Sequence, residues 1–186
     1  MSTINLNDEK YEVSAGKVIF NGGKAGVVNN CKVRFESKKA TDSDQAPKYK
    51  VIFTDENGGE INIGFFSPKD TASDAAKALF VKQMKHLANV FDVELAPSYE
   101  SYDALMDATV KACYTKQEQT LVSVGAAYGT IGYPKAYLTI RWFFDIVKNN
   151  GVVYMAKDAL YERPAPTEQV PTVGNAPTVP GNDLPF

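Results

Sequence analysis

Two periodicities divide the chain. Residues 26–37 alternate, with Cys31, Val33 and Phe35 apolar and Lys32, Arg34 and Glu36 polar. A period of two marks a strand with one face in a core. Residues 49–66 repeat the pattern as a hairpin. Its arms run Tyr49 to Thr54 and Glu60 to Phe66, joined by a turn from Asp55 to Gly59. Asn57-Gly58 carries that turn, because both residue types tolerate positive φ. Upstream, residues 17–20 read as a short strand ended by Asn21-Gly22-Gly23. After the breaker Ser67-Pro68-Lys69-Asp70 the period changes. Ala76, Phe80, Met84, Leu87 and Phe91 share one face of a helix over about 72–91. Pro97 separates it from a second helix over about 99–115, with Leu105, Met106, Val110 and Cys113 inward. Strand character returns over 121–128, passes through a loop at 129–134 and resumes over 136–144. A turn at Asn149-Asn150-Gly151 leads to a last strand at 152–155.

This order predicts a mainly β protein with a helical insertion. Closing five short antiparallel strands removes exposed sheet edges. The expected architecture is an OB-fold-like five-stranded antiparallel barrel, with one or two helices between strands 3 and 4. An unrelated α+β sandwich has the same element order and stays open at this point. The composition breaks at Pro164, from which onward lie six of the ten prolines with few large apolar residues. Such a segment cannot form a core. The division is therefore a domain at 1–163 and a disordered Pro-rich tail at 164–186.

Charge sharpens the division. The 20 basic and 22 acidic residues give a formal net charge of −2. The excess comes from Glu168 and Asp183 in the tail, so the body is formally neutral. A uniformly basic nucleic-acid binder is excluded, and any basic surface must come from segregation onto one face. No apolar run reaches the roughly 18 residues of a membrane span. The polar N-terminus lacks a signal-peptide pattern. Together these imply a cytoplasmic protein.

Catalytic equipment is sparse. His86 is the single histidine, and it falls within the first helical pattern. Cys31 and Cys113 lie far apart in apolar-patterned segments, which predicts buried reduced thiols. Residues 21–26 lack the spacing of a phosphate loop. The expectation is a non-enzyme that needs no metal or cofactor.

Alternation also sorts the strands into faces. Val51, Phe53, Ile61, Ile63, Phe65, Leu138, Ile140 and Trp142 are expected inward with Cys31, Val33 and Phe35. Lys32, Arg34, Lys50, Phe66, Tyr137, Arg141 and Phe143 are expected outward. Cations with flat rings suit single-stranded nucleic acid, where Lys and Arg neutralise phosphate and each ring stacks a base for ~1–3 kcal/mol. Phe66 and Phe143 are the rings most exposed to the competing fate of packing under the helices. Two loops add candidates: Lys38, Lys39 and Lys48 in the first, and Tyr128, Tyr133 and Lys135 in the second.

The chain ends Asp183-Leu184-Pro185-Phe186. Such an ending suits a docking peptide: the ring fills an apolar pocket, the acids meet a basic nest and Pro185 limits the ordering cost. The ending, the Pro-rich linker before it and the OB-like strand order together resemble bacterial and bacteriophage single-stranded-DNA-binding proteins, in a divergent, phage-like form. The resemblance implies sequence-nonspecific binding and protection of single-stranded DNA during replication, recombination and repair. It implies that the four terminal residues recruit replication and recombination proteins, and that the setting is the host cytoplasm. It is compatible with a homo-oligomer. The competing expectation is an adaptor or virion-associated protein that binds no nucleic acid and docks a host protein through its tail.

Overall fold

A computed structural model of the chain describes residues 18–37 and 48–165. β1 (Gly26–Ser37), β2 (Tyr49–Thr54) and β3 (Glu60–Phe65) form the expected antiparallel meander. α1 (Asp74–Val90) and α2 (Tyr102–Tyr114) follow, then β4 (Leu121–Thr130), β5 (Tyr133–Thr139) and β6 (Ile146–Lys148). The strand order is β3-β2-β1-β4-β5, and β6 also pairs with β4. Every ladder is antiparallel.

Local chemistry sets the boundaries. Ser73 begins α1 by accepting the Ala76 N–H at 3.3 Å, and Ser101 begins α2 by accepting the Ala104 N–H at 3.1 Å. Each cap satisfies a donor that the first helical turn leaves unpaired. The β2–β3 turn is tied by Asp55, whose carboxylate accepts the Asn57 N–H at 2.9 Å and the Gly59 N–H at 2.8 Å. Gly58 sits there at φ 84°, which a side chain would resist.

The inward set, apart from Trp142, forms one core against the two helices. Phe35 meets Phe65 and Phe91, with centroids at 6.2 and 5.5 Å. From α1 come Phe80, Met84 and Leu87, and from its C-cap Phe91, spaced as the sequence pattern requires. Cys31 and Cys113 are buried free thiols in this core. Burial pushes both up to about 12.

The sheet is not closed into a barrel. No ladder joins β3 to β5 among the described residues. The segment 18–23 stands at that gap. Ile19 makes a single parallel bridge to Glu60, and Phe20–Gly23 is a 3-10 turn rather than the end of a strand. Asp55 also accepts the Asn21 N–H at 2.6 Å, binding the turn to the β2–β3 hairpin.

The second half departs further from the expected pattern. β5 begins at Tyr133 instead of residue 136, because the turn is confined to Ile131-Gly132. It ends at Thr139, and the 3-10 turn Phe143–Asp145 then breaks the period of two. Phe143, expected outward, is buried with its ring 4.5 Å from Phe65. Trp142, expected in the core, is 37% exposed. Residues 152–155 form no strand; β6 is the last one. They cross the outer side of β4 instead. Val153 and Met155 there occupy the space that a side chain on Gly125 would need. No helix among the described residues is long and apolar enough to cross a membrane.

Candidate functional site

The sheet's outer face is fixed by register, since directly paired antiparallel residues share a face. Lys32 pairs with Thr54 on β2 and with Leu121 on β4, and Thr54 pairs with Glu60. The next row is Arg34, Ile52 and Asn62, followed by Glu36, Lys50 and Gly64. On the far side, Ala127 pairs with Thr139. Thr139 therefore shares the face of Leu121, Gly125 and Ala127; the β4–β5 register then shifts between Ala127 and Gly129, so alternation does not carry that face along β5 to Tyr137, Lys135 and Tyr133. Lys32, Arg34 and Lys50 thus share one face with Leu121 and Thr139, while Tyr133, Lys135 and Tyr137 lie on β5 beyond the register shift.

Three rings of the sheet are open: Phe66 after β3 is 60% exposed, and Tyr133 and Tyr137 on β5 are 81% and 66% exposed. Lys135 holds its ammonium 6.0 Å from the Tyr137 ring centre. The exposed Trp142 carries the Arg141 guanidinium 5.7 Å from its ring centre, an arrangement that strand alternation did not foresee. The sequence held one signal for it. Asp145 stands three residues after Trp142 and accepts the Trp142 N–H at 3.0 Å, as a turn-starting cap does.

The cations divide into two groups. Arg34 pairs with Glu36 and, at 3.1 Å, with Glu60. Arg141 pairs with Asp158 at 2.8 Å. Lys48 leaves the face for α2, where both Asp107 oxygens hold it at 2.7 and 2.8 Å. That hydrogen bond raises the Lys48 ammonium above its ordinary value. Lys32, Lys50 and Lys135 form no ion pair among the described residues.

Tyr128 corrects the sequence reading. It lies within β4 rather than in a loop and is 7% exposed, with its hydroxyl donating to the Gly23 carbonyl. Its ring faces are covered, so it offers no stacking platform. Lys38 and Lys39 lie outside the described residues, as does the tip from Asp183 to Phe186.

A cleft of about 180 Å³ opens on the outer side of β4 and β5. Ala127 and Gly129 lie at its β4 side, and Tyr133, Lys135 and Arg141 at its β5 side. Met155, Ala156 and Ala159 bound it from the crossing segment. That segment is pinned to β4 by the Tyr128 N–H donating to the Leu160 carbonyl and the Leu160 N–H to the Gly129 carbonyl, both at 2.9 Å. Asp145 also lines the cleft although it is only 7% exposed. Burial pushes its carboxyl above the ordinary value, against the opposing pull of backbone N–H groups at Trp142 and Arg141.

His86 has a structural contact. Its Nε2 lies 2.7 Å from the Ile146 carbonyl, and its ring meets Phe144 edge-on. Among the described residues no group of three His, Cys, Asp or Glu side chains has metal-binding geometry. Comparison with known protein families, curated proteins and solved structures finds no match for this chain.

Proposed function

We propose that this chain binds single-stranded DNA without sequence specificity, and without catalysis, through the outer face of its sheet. One observation carries the reading. Lys32, Lys50 and Lys135 have no carboxylate partner among the described residues, and the same sheet carries the exposed rings of Tyr133 and Tyr137 on β5, with Lys135 between them in sequence. Cations for phosphate and rings for bases are what nonspecific strand binding requires. The strand order supports an OB-like body, because it is a five-stranded barrel order opened between strands 3 and 5, with the helices between strands 3 and 4. The neutral body implies moderate affinity that falls with salt.

The proposal extends to the tail. Asp183, Leu184, Pro185 and Phe186 would dock replication and recombination proteins, in a host cytoplasm if the chain is phage-encoded. The rival reading is an adaptor or virion-associated protein. It is favoured by the ion pairs that engage Arg34, Lys48 and Arg141. Titrating the full chain against a fluorescent oligo-dT strand separates the two. Binding tighter than to duplex, and weakening with added salt, is expected. Equal affinity for strand and duplex, or affinity indifferent to salt, sinks the proposal.

A further inference from the structure

The cleft beside β5 differs from the flat stacking face around it. Its volume is below the roughly 300–1,000 Å³ of pockets that take drug-sized ligands, and it suits a single heteroaromatic ring. Ala127, Ile140 and Met155 give it apolar lining for the faces of a ring. The exposed Tyr133 stands beside it, within the row of side chains that runs along β5.

Asp145 gives the cleft its chemistry. A nearly buried carboxylate normally finds a counter-cation or a full set of donors, because burying its charge is costly. Asp145 has the Trp142 N–H at 3.0 Å and the backbone N–H of Arg141 beside it, with the Arg141 and His86 side chains near but no Lys, Arg or His within ion-pair distance among the described residues. No buried side-chain oxygen among the described residues lacks a partner, so a ligand's N–H would add a donor on the side of the carboxylate that faces the cleft. Among the bases, an exocyclic amine is such a donor, and a carboxylate accepting from the cytosine amine is an established pairing. Thymine has no exocyclic amine. Its one Watson–Crick N–H, at N3, is flanked by two carbonyl oxygens, which a carboxylate repels.

We propose that this cleft is a base-binding subsite that receives one nucleobase carrying an exocyclic amine, with Asp145 as acceptor and the walls of the cleft against the ring. The inference rests on the proposed strand binding and adds to it a preference for cytosine over thymine. Recognition of this kind is compatible with nonspecific binding. It acts at one position of the bound strand, while stacking and phosphate contacts elsewhere ignore sequence.

The test compares fluorescent oligo-dC and oligo-dT strands of equal length, titrated with the full chain at about neutral pH. The expected result is about tenfold tighter binding of oligo-dC, the scale of one hydrogen bond to a charged acceptor. Asp145→Asn keeps an oxygen for the Trp142 N–H and removes the charge, so the preference should shrink to less than about threefold. Ala156→Leu fills the cleft without touching the carboxylate and should remove the preference, while oligo-dT affinity stays within about twofold. Equal affinity of the intact protein for both strands overturns the subsite and leaves strand binding standing. A preference that survives both substitutions also overturns it. Binding to neither strand removes the parent reading as well.

Discussion

Replacing Lys32, Lys50 and Lys135 together by Gln tests the charge argument. All three lie on strands, Lys32 and Lys50 with their neighbours fixed by register, and none has an ion pair among the described residues. Folding should be little affected, since surface substitutions of this kind stay within about 0.5 kcal/mol. Each phosphate neutralised on a single strand contributes about 0.7 to the slope of log affinity against log salt. Three such contacts make the slope shallower by about 2 when removed. Between about 50 and 200 mM salt the intact protein should therefore lose about 20-fold more affinity than the variant. The assay is the oligo-dT titration repeated at several salt concentrations. A control variant changes Lys69, Lys82 and Lys85 to Gln. These are exposed lysines on or before α1, and they give the same loss of net charge. If both variants shift the slope equally, the effect is one of total charge and the outer face is not the phosphate track. If neither shifts it, the lysines make no phosphate contacts.

Gly59→Ala should destabilise the fold. A Cβ there would come within 2.6 Å of the Phe20 backbone and 2.7 Å of the Ile19 carbonyl carbon, so the 18–23 segment would have to leave its place. Expelling the buried Phe20 ring costs about 1.5–3 kcal/mol, visible as an earlier urea midpoint; an unchanged midpoint would show that the segment is not needed for stability. Cys31 and Cys113 should resist a thiol reagent at about pH 8 in the native protein and react after unfolding, because buried thiols are inert. The folded state keeps protons that the unfolded chain begins to lose near 9.0, so stability should fall as pH rises from there towards about 12, and equilibrium unfolding followed across that window checks the sign. Deleting 164–186 should leave the melting temperature intact and keep or raise oligo-dT affinity, because it removes Glu168 and Asp183, acids that compete with phosphate; loss of DNA binding on truncation would make the tail part of the binding face.

The first half of the chain was legible because local and tertiary signals agree there. Asn57-Gly58 fixed the hairpin length, and strict alternation placed Val33, Phe35, Val51, Phe53 and Ile61 inward, where they are buried. The helices were legible within a few residues for the same reason, with Ser73 and Ser101 refining their starts. From Gly129 onward strand alternation is interrupted, first by the β4–β5 register shift and again after Thr139. It assumes an unbroken strand, and the 3-10 turn at Phe143–Asp145 exchanges the fates of Trp142 and Phe143. Tyr128 was misread for a related reason. Its neighbour Gly129 suggests a loop, but β4 continues to Thr130, and a backbone carbonyl far away in sequence takes the phenol.

The sequence by itself determined which residues could form strands, where the helices interrupt them and which side chains face outward on β1 to β3. Those properties depend on spacing along the chain, which is local. Only the tertiary structure decided which outward cations are engaged by carboxylates. Arg34 meets Glu60, Lys48 meets Asp107 and Arg141 meets Asp158, partners that are 26, 59 and 17 residues apart. It also decided that residues 152–160 lie across β4 and wall the cleft where Asp145 is buried. Such pairings arise when distant segments pack, and no local pattern encodes them.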